Sequence, residues 1–394
     1  MSTVEINKQT VISSFSKIII GNTPVPPVIK EFWVWGINYG LFGDNTVAGS
    51  ISPIQVALPG DYYKLPEFSS FYYANDPNAF GCMGLIDKNY NLFTWGYNGY
   101  GQLGDNTTIN RSSPVQIAGS WNSVTFGARH TLAIKTNGTL WSWGQNLEGE
   151  LGNNTRINKS SPIQIGTENN WVKIAAGFRF SVAIKADGTL WVWGNDTFKK
   201  LGVGPTKSTI SSPVQTAIGG NNWQSVSCGE DNTLAIKKDG TLWGWGDNQK
   251  GQLGINLNIN SGAVMNSPVQ VGTDTTWQKV YTEYTVSAAI KKDGTLWTWG
   301  LGSSGALGRN STNDVSSPIQ VGIETNWYKI SQSAETIFGL KTDGTLWAWG
   351  WNSNGELGDG TTTNKSSPAQ TTLADNKWLD IIAALCGTFG VRSI

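Results

Sequence analysis

Residues 171–215 read WVKIAAGFRF SVAIKADGTL WVWGNDTFKK LGVGPTKSTI SSPVQ, and the fold follows from this one stretch. Trp171 to Ile174 opens a short strand that runs into Ala175-Ala176-Gly177. Ser181 to Lys185 alternates apolar and polar, as a half-buried strand should. Asp187-Gly188 is a two-residue hairpin turn, because the turns that match strand twist need positive φ and Gly supplies it freely. Thr189 to Trp193 makes a third strand. After a loop closed by Leu201-Gly202, Ser212-Pro213-Val214-Gln215 makes the fourth. Proline cannot donate to a ladder, so this last strand belongs on an edge.

Outward from this unit the pattern repeats. Trp-x-Trp-Gly occurs at 33–36, 141–144, 191–194, 243–246, 297–300 and 347–350, with the variant Phe93-Thr94-Trp95-Gly96. These seven copies lie 48 to 60 residues apart, and four short strands per period near 50 predict a closed propeller. No single repeat can bury its own apolar face, so the ring needs all of them. The hairpin column returns as Asn137-Gly138, Asp239-Gly240, Asp293-Gly294 and Asp343-Gly344, and departs at Asn89-Tyr90. Ser-Pro-x-Gln recurs around Pro53, Pro114, Pro162, Pro213, Pro268, Pro318 and Pro368, which marks the outer rim. The small residues of Ala175-Ala176-Gly177 suit the crowded axis, so the first strand lines the centre. Most of the 20 tryptophans are expected to be core and not ligand platforms.

The two ends interlock. Trp378 to Arg392 aligns without a gap to Trp171 to Lys185, whereas Phe32 to Trp35 has no partner strand before it. The expectation is an all-β, seven-bladed propeller of four-stranded blades over residues 31–394. Strands from both termini complete one blade. Residues 1–30 form a separate N-terminal arm and Pro-rich linker.

Composition narrows the function. Charged residues are 14% of the 394, against about 25% in an average protein, and the formal net charge is zero. A nucleic-acid surface would need clustered Lys and Arg, so none is expected. No apolar run reaches the ~20 residues of a membrane span. Lys8 and Lys17 interrupt the apolar N-terminus, so no signal peptide is expected. Cys82, Cys228 and Cys386 form no metal-binding spacing. Serines occur in no Gly-x-Ser-x-Gly elbow, and any His-based triad would have to use His130. The Gly-Asp-Asn-Thr loops at 43–46 and 104–107 read as polar loops, since the other repeats do not keep the Asp. The chain is therefore read as having no catalytic residues, metal or cofactor.

The run Gly127-Ala-Arg-His130-Thr-Leu-Ala-Ile-Lys135-Thr-Asn-Gly-Thr-Leu-Trp-Ser-Trp-Gly144, with the recurring Leu-Gly and Ser-Pro-x-Gln, resembles the regulator of chromosome condensation repeat family. The resemblance covers about residues 31–394 and implies a seven-bladed propeller. Members of that family include exchange factors for a nuclear small GTPase, β-lactamase inhibitors, and uncharacterised bacterial and phage proteins. The family's turn histidine survives only as His130; Cys82, Phe180, Asn232, Val286, Thr336 and Gly387 stand in the other copies. No insertion here matches the GTPase-contacting wedge of the exchange factors. The charge-poor, Asn- and Thr-rich copies look most similar to those of phage and bacterial surface proteins.

Function is sought where the repetition breaks. Leu65 to Ile86 holds eleven more residues than Val124 to Ile134, among them Phe68, Phe71, Tyr72, Tyr73 and Phe80. Such a loop reads either as a contact surface or as a plug of the central channel. In the turns between first and second strands, Arg129, His130 and Arg179 are followed around the ring by Glu230, Asp231 and Glu335, with Glu283 nearby. That predicts a face divided into a basic and an acidic arc. The arm carries Ile18, Ile19 and Ile20 ahead of Pro24-Val-Pro-Pro27, a β-prone segment that could add a strand to a partner or to another copy. Together these predict a non-enzymatic, macromolecule-binding propeller, a virion or cell-surface structural or adhesion protein anchored by its arm. A soluble inhibitor or regulator that docks one ring face onto an enzyme or small GTPase is the alternative. A further one is binding of a surface glycan by Tyr97, Tyr100 and Trp351. The expected partner is a protein or another subunit of an assembly.

Overall fold

The computed structural model describes residues 30–38, 41–46, 48–57, 62–66, 81–205, 208–257, 259, 262–383 and 387–394, with the side chains of Tyr62 and Tyr63 left aside. Seven four-stranded antiparallel sheets follow one another around a ring. Blade 1 consists of Tyr62–Lys64, Cys82–Asp87, Leu92–Gly96 and Arg111–Ile117. Blades 2 to 6 begin at Trp121, Trp171, Trp223, Trp277 and Trp327 and end at Gln164, Gln215, Gln270, Gln320 and Gln370. In blade 7, Trp378–Ala383 and Gly387–Ser393 pair with Lys30–Gly36 and Ser50–Val56. The closing ladder runs unbroken from Lys30 opposite Ser393 to Gly36 opposite Gly387. The ring is thus sealed by ordinary strand pairing, with its first strand starting at Lys30.

The second Trp of each Trp-x-Trp-Gly holds neighbouring blades together. Trp35, Trp95, Trp143, Trp193, Trp245, Trp299 and Trp349 are all buried at 1% exposure or less. A buried indole N–H needs an acceptor, and each finds a carbonyl of the preceding blade. Trp193 donates to Glu150 O at 2.8 Å, Trp245 to Lys200 O at 2.9 Å and Trp35 to Glu356 O at 2.9 Å. Trp95 of blade 1 donates to Leu41 O in blade 7 at 2.6 Å, which carries the series across the closure. The Gly after this Trp is required by geometry. Gly194 has φ +103, and a Cβ there would lie 2.5 Å from the carbonyl oxygen of Arg179.

The first Trp of the motif is less deeply buried than the second. Trp141, Trp191, Trp243, Trp297 and Trp347 are only half-buried. Each faces the Trp that opens its own blade across a lysine from the second strand. In blade 3, Lys185 Nζ lies 4.8 Å from the Trp171 ring and 3.9 Å from the Trp191 ring. Lys135, Lys237, Lys291 and Lys341 repeat this. The lysine stem covers the rings, and in blades 3, 5 and 6 the ammonium pairs with Glu168, Asp274 and Glu324.

Candidate functional site: the charged turn face

Two sets of loops gather on one face of the ring. The turn between first and second strands is tight: Gly127 N bonds His130 O, Gly177 N bonds Phe180 O and Gly229 N bonds Asn232 O, each at 2.8 Å. The chain leaving the third strand donates to these turns, as in Gln145 N to Arg129 O, Asn195 N to Arg179 O and Asp247 N to Asp231 O. The loop that follows, which ends in Leu-Gly, is thereby pinned beside the turns. Side chains from both loop sets share the face.

Lys200 is the centre of this arrangement. It is 1% exposed, and its Nζ donates to Phe178 O at 3.0 Å, Glu230 O at 3.3 Å and Asp231 Oδ1 at 2.7 Å. Burial pushes the lysine down, and the Asp231 charge opposes that. Carboxyls on the same face are held by burial above their ordinary range. Glu230 is pushed up to about 7 by burial, then by the charge of Asp231. Burial raises Asp247. Glu283, 5% exposed, is raised well above a normal glutamate by burial, with Glu230 adding to it. Glu150, wholly buried, is pushed up to about 7 by burial, while its Oε2 accepts the Glu148 N–H at 2.7 Å. Perturbed carboxyls clustered on one face mark a candidate site, because functional sites tend to concentrate such shifts.

The sequence-predicted residues meet here only in part. Glu230, Asp231 and Glu335 are half-exposed on the acidic side. Arg179 sits in a left-handed turn with its guanidinium 4.9 Å over the Phe178 ring. Arg129 is 9% exposed, and its guanidinium lies 4.8 Å from the Tyr100 ring. His130 is corrected from a surface residue to an interior one. It is 1% exposed, and its Nε2 meets Ser181 Oγ of the next blade at 2.8 Å. Ser181 donates its proton to Glu150 O, so it accepts from His130 Nε2–H. Burial pushes this histidine down to about 3, which keeps it neutral. The clean division into arcs is corrected as well: Glu150 stands beside the arginines, and Lys200 is embedded among the acids.

Lys200, Glu150 and Asp247 were missed. Glu150 and Lys200 occupy the column before Leu-Gly, with Gln102, Gln252, Ala306 and Glu356 in other blades. The column's variability was visible; its proximity to the turns was not. Phe68, Phe71, Tyr72, Tyr73 and Phe80 lie outside the described residues, as do Ile18, Ile19, Ile20 and Cys386. Cys82 and Cys228 are buried, and burial raises both thiols, Cys82 up to about 12. Asp105 of the second Gly-Asp-Asn-Thr loop is occupied by Asn98, Thr107 and Arg111, which hold that loop. Tyr97 and Tyr100 pack edge to face at 6.3 Å, and Trp351 is 43% exposed.

The family model of an RCC1-like domain matches residues 91–390. The chain is similar to the RCC1 domain-containing protein RUG3, mitochondrial, of Arabidopsis thaliana: 26% identical over 229 residues, 56% of this chain and 40% of that protein. It is also similar to the ultraviolet-B receptor UVR8 of the same plant, 29% identical over 117 residues, 30% of this chain and 26% of the receptor. The matched region thus spans less than half the length of either relative. Among solved structures, human WBSCR16 superimposes with a TM-score of 0.78 at 19% identity, covering 93% of this chain and 99% of that one. Yeast RCC1 (Prp20), solved bound to Kap60, gives 0.80 at 18% identity, covering 100% and 96%. At such identities the likeness is one of fold.

Proposed function

Because the chain belongs to the RCC1-like domain family, we propose that it is a non-catalytic, protein-docking propeller whose partner seats on the charged turn face over blades 2 to 6. The observation that carries this reading is the set of half-buried carboxyls around Lys200. Burying carboxyls without matching cations costs stability. A partner that brings Lys or Arg onto Glu230 and Glu335 would relieve that cost on binding. The Kap60-bound yeast propeller supports the reading as a ring of this shape captured with a protein. This is the docking regulator foreseen as the alternative in the sequence.

Photo-crosslinkers placed at Glu230, Glu335 and the rim residue Gln215 test the site in the native setting. Crosslinks to one protein from the two turn-face positions, absent from the rim, are expected. Crosslinks from the rim alone would sink the proposal.

A second reading keeps a virion or cell-surface structural role, with the arm as anchor. It is favoured by the apolar run Ile18, Ile19, Ile20 ahead of a stiff Pro24-Val-Pro-Pro27 linker. Deleting residues 1–29 separates the two: an anchor loses assembly, whereas a docking ring keeps its crosslinks.

A further inference from the structure

The axis of the ring carries a second concentration of charge, away from the turn face. In all seven blades the ladder between first and second strands slips once, just after the residue that opens the blade. The residue following each slip is Lys64, Ser123, Lys173, Ser225, Lys279, Lys329 or Asp380, opposite Ile86, Ile134, Ile184, Ile236, Ile290, Leu340 and Val391 respectively. A bulge at a fixed place re-aims the side chain that follows it. Six of these seven residues line one axial cavity of about 400 Å³, all but Ser123. A volume of that order lies within the range of pockets that take small molecules.

The cavity wall presents four lysines and one aspartate among the described residues. Asp380 pairs with Lys329 at 2.5 Å. Lys279 donates to Tyr328 O and lies 4.0 Å over the Tyr328 ring. Burial lowers the Lys279 ammonium, and the Lys329 charge lowers it further. Burial and the Lys329 charge both disfavour the Lys279 ammonium, so an anion beside it would relieve both terms. Among the described residues no arginine lines the cavity. Arg forks recognise carboxylate and phosphate by bidentate geometry, whereas lysines act as rotatable point charges that respond to charge density.

We propose that this axial cavity binds a compact anion bearing two or more phosphate groups, held by Lys64, Lys173 and Lys279, with Ser225 as a hydroxyl donor. The site is independent of the turn face and of any partner seated there. The ligand is recognised by charge density and not by planar shape, so linear polyphosphates, nucleoside triphosphates and inositol phosphates share the necessary chemistry.

Calorimetric titration of the full chain at low salt tests this with sodium tripolyphosphate, ATP, inositol hexakisphosphate and citrate as probes. The expected result is saturable binding of at least one phosphate compound, tighter than citrate. Binding should weaken as salt rises, because mobile ions screen charges that solvent reaches. The double variant Lys173→Gln/Lys279→Gln should weaken it at least tenfold while its melting temperature stays level or rises. Ser225→Asp, which adds an anion to the same ring, should weaken binding without touching a lysine. The ranking of the three phosphate probes identifies the source. No binding at millimolar probe, equal binding of citrate, or unchanged affinity in both variants would overturn the proposal. So would a double variant that melts well below the parent, since the lysines would then be structural.

Discussion

Glu150 shows how one residue can oppose the fold that contains it. Its column holds Gln102 and Gln252 in other blades, and their Oε1 atoms accept the N–H two residues back at 3.0 and 2.8 Å. Glu150 makes the same bond as a glutamate that burial pushes up to about 7. A carboxyl with a raised folded pKa contributes its full stability below its unfolded value, about 4.5, and loses it as pH rises through 7. Glu150→Gln should therefore stabilise the protein at pH 8 by about 3 kcal/mol, the linkage of a shift of that size, and the gain should nearly vanish at pH 4.5. Urea unfolding at the two pH values checks this; an equal effect at both would contradict the assigned burial. His130 works in the opposite direction. Its folded pKa lies below the unfolded one, so its neutral form is fully stabilising above ~6.5 and that stability is lost as pH falls toward 3. His130→Gln should flatten the loss of stability between pH 6.5 and 4. Trp193→Ala should cost about 3–5 kcal/mol, because the wholly buried ring and its bond to Glu150 O leave a cavity and an unmade hydrogen bond.

Within the blade, the unit that recurs is a lysine between two indoles. Lys237 is held 4.8 Å from the Trp223 ring and 3.8 Å from the Trp243 ring. Its stem covers the half-buried Trp243, and its charge faces both π-systems. Cation–π contacts contribute roughly 0.5–2 kcal/mol. Lys237→Ala should cost about 1–2 kcal/mol and Lys237→Met about half of that, since Met keeps the apolar stem. Equal losses in urea titrations would show that the stem contributes nothing, and no loss in Lys237→Met would show that the charge contributes nothing. Blade 1 does without this device. Asp87 stands where the other second strands end in Lys or Arg, and its carboxylate accepts from Asn89 N, Asn91 N and Asn91 Nδ2 at 2.8 Å each. The Asn89-Tyr90 turn, lacking the Gly of the other hairpins, is thereby held by side-chain bonds, with Tyr90 at φ +65. Pro66 marks a second departure in this blade. It occupies the place where Thr125 continues the ladder in blade 2, and it has no N–H to donate. The assigned inner strand ends at Lys64.

The ring as a whole is only as stable as its seam. Indole-to-carbonyl bonds link every blade to the one before, including blade 1 to blade 7 and blade 7 to blade 6. Nearest-neighbour coupling of this kind makes stability a sum over interfaces. Removing residues 378–394 takes two strands from blade 7 and leaves Lys30–Gly36 paired on one side only. It should broaden the unfolding transition and lower its midpoint, as read by calorimetry. A transition as sharp as that of the intact chain would mean that the seam contributes little.

Blade number, strand order and rim were legible in the sequence because they recur from repeat to repeat in residues with one physical use, and closure because the two ends supply complementary strands of one repeat. Trp seeks burial, Asp-Gly makes the hairpin, and Pro keeps to an edge. The interior tryptophan, the outer proline strand and the joined ends therefore needed no tertiary information. The charged sites were not legible in that way. Arg129, Arg179, Glu230 and Asp231 could be placed on one face by alignment, but Lys200 entered their network only because the loop before Leu201 folds back under the next blade's turn. His130 reads in the sequence as a turn residue, and only the neighbouring blade supplies Ser181 as the partner that covers it. The lysines of the axial cavity are spread over more than 260 residues of sequence, and a bulge repeated in each blade brings them to one axis. Local residue chemistry determined the repeat; charge positions depended on which neighbour lay beside each loop, and only closing the ring decides that.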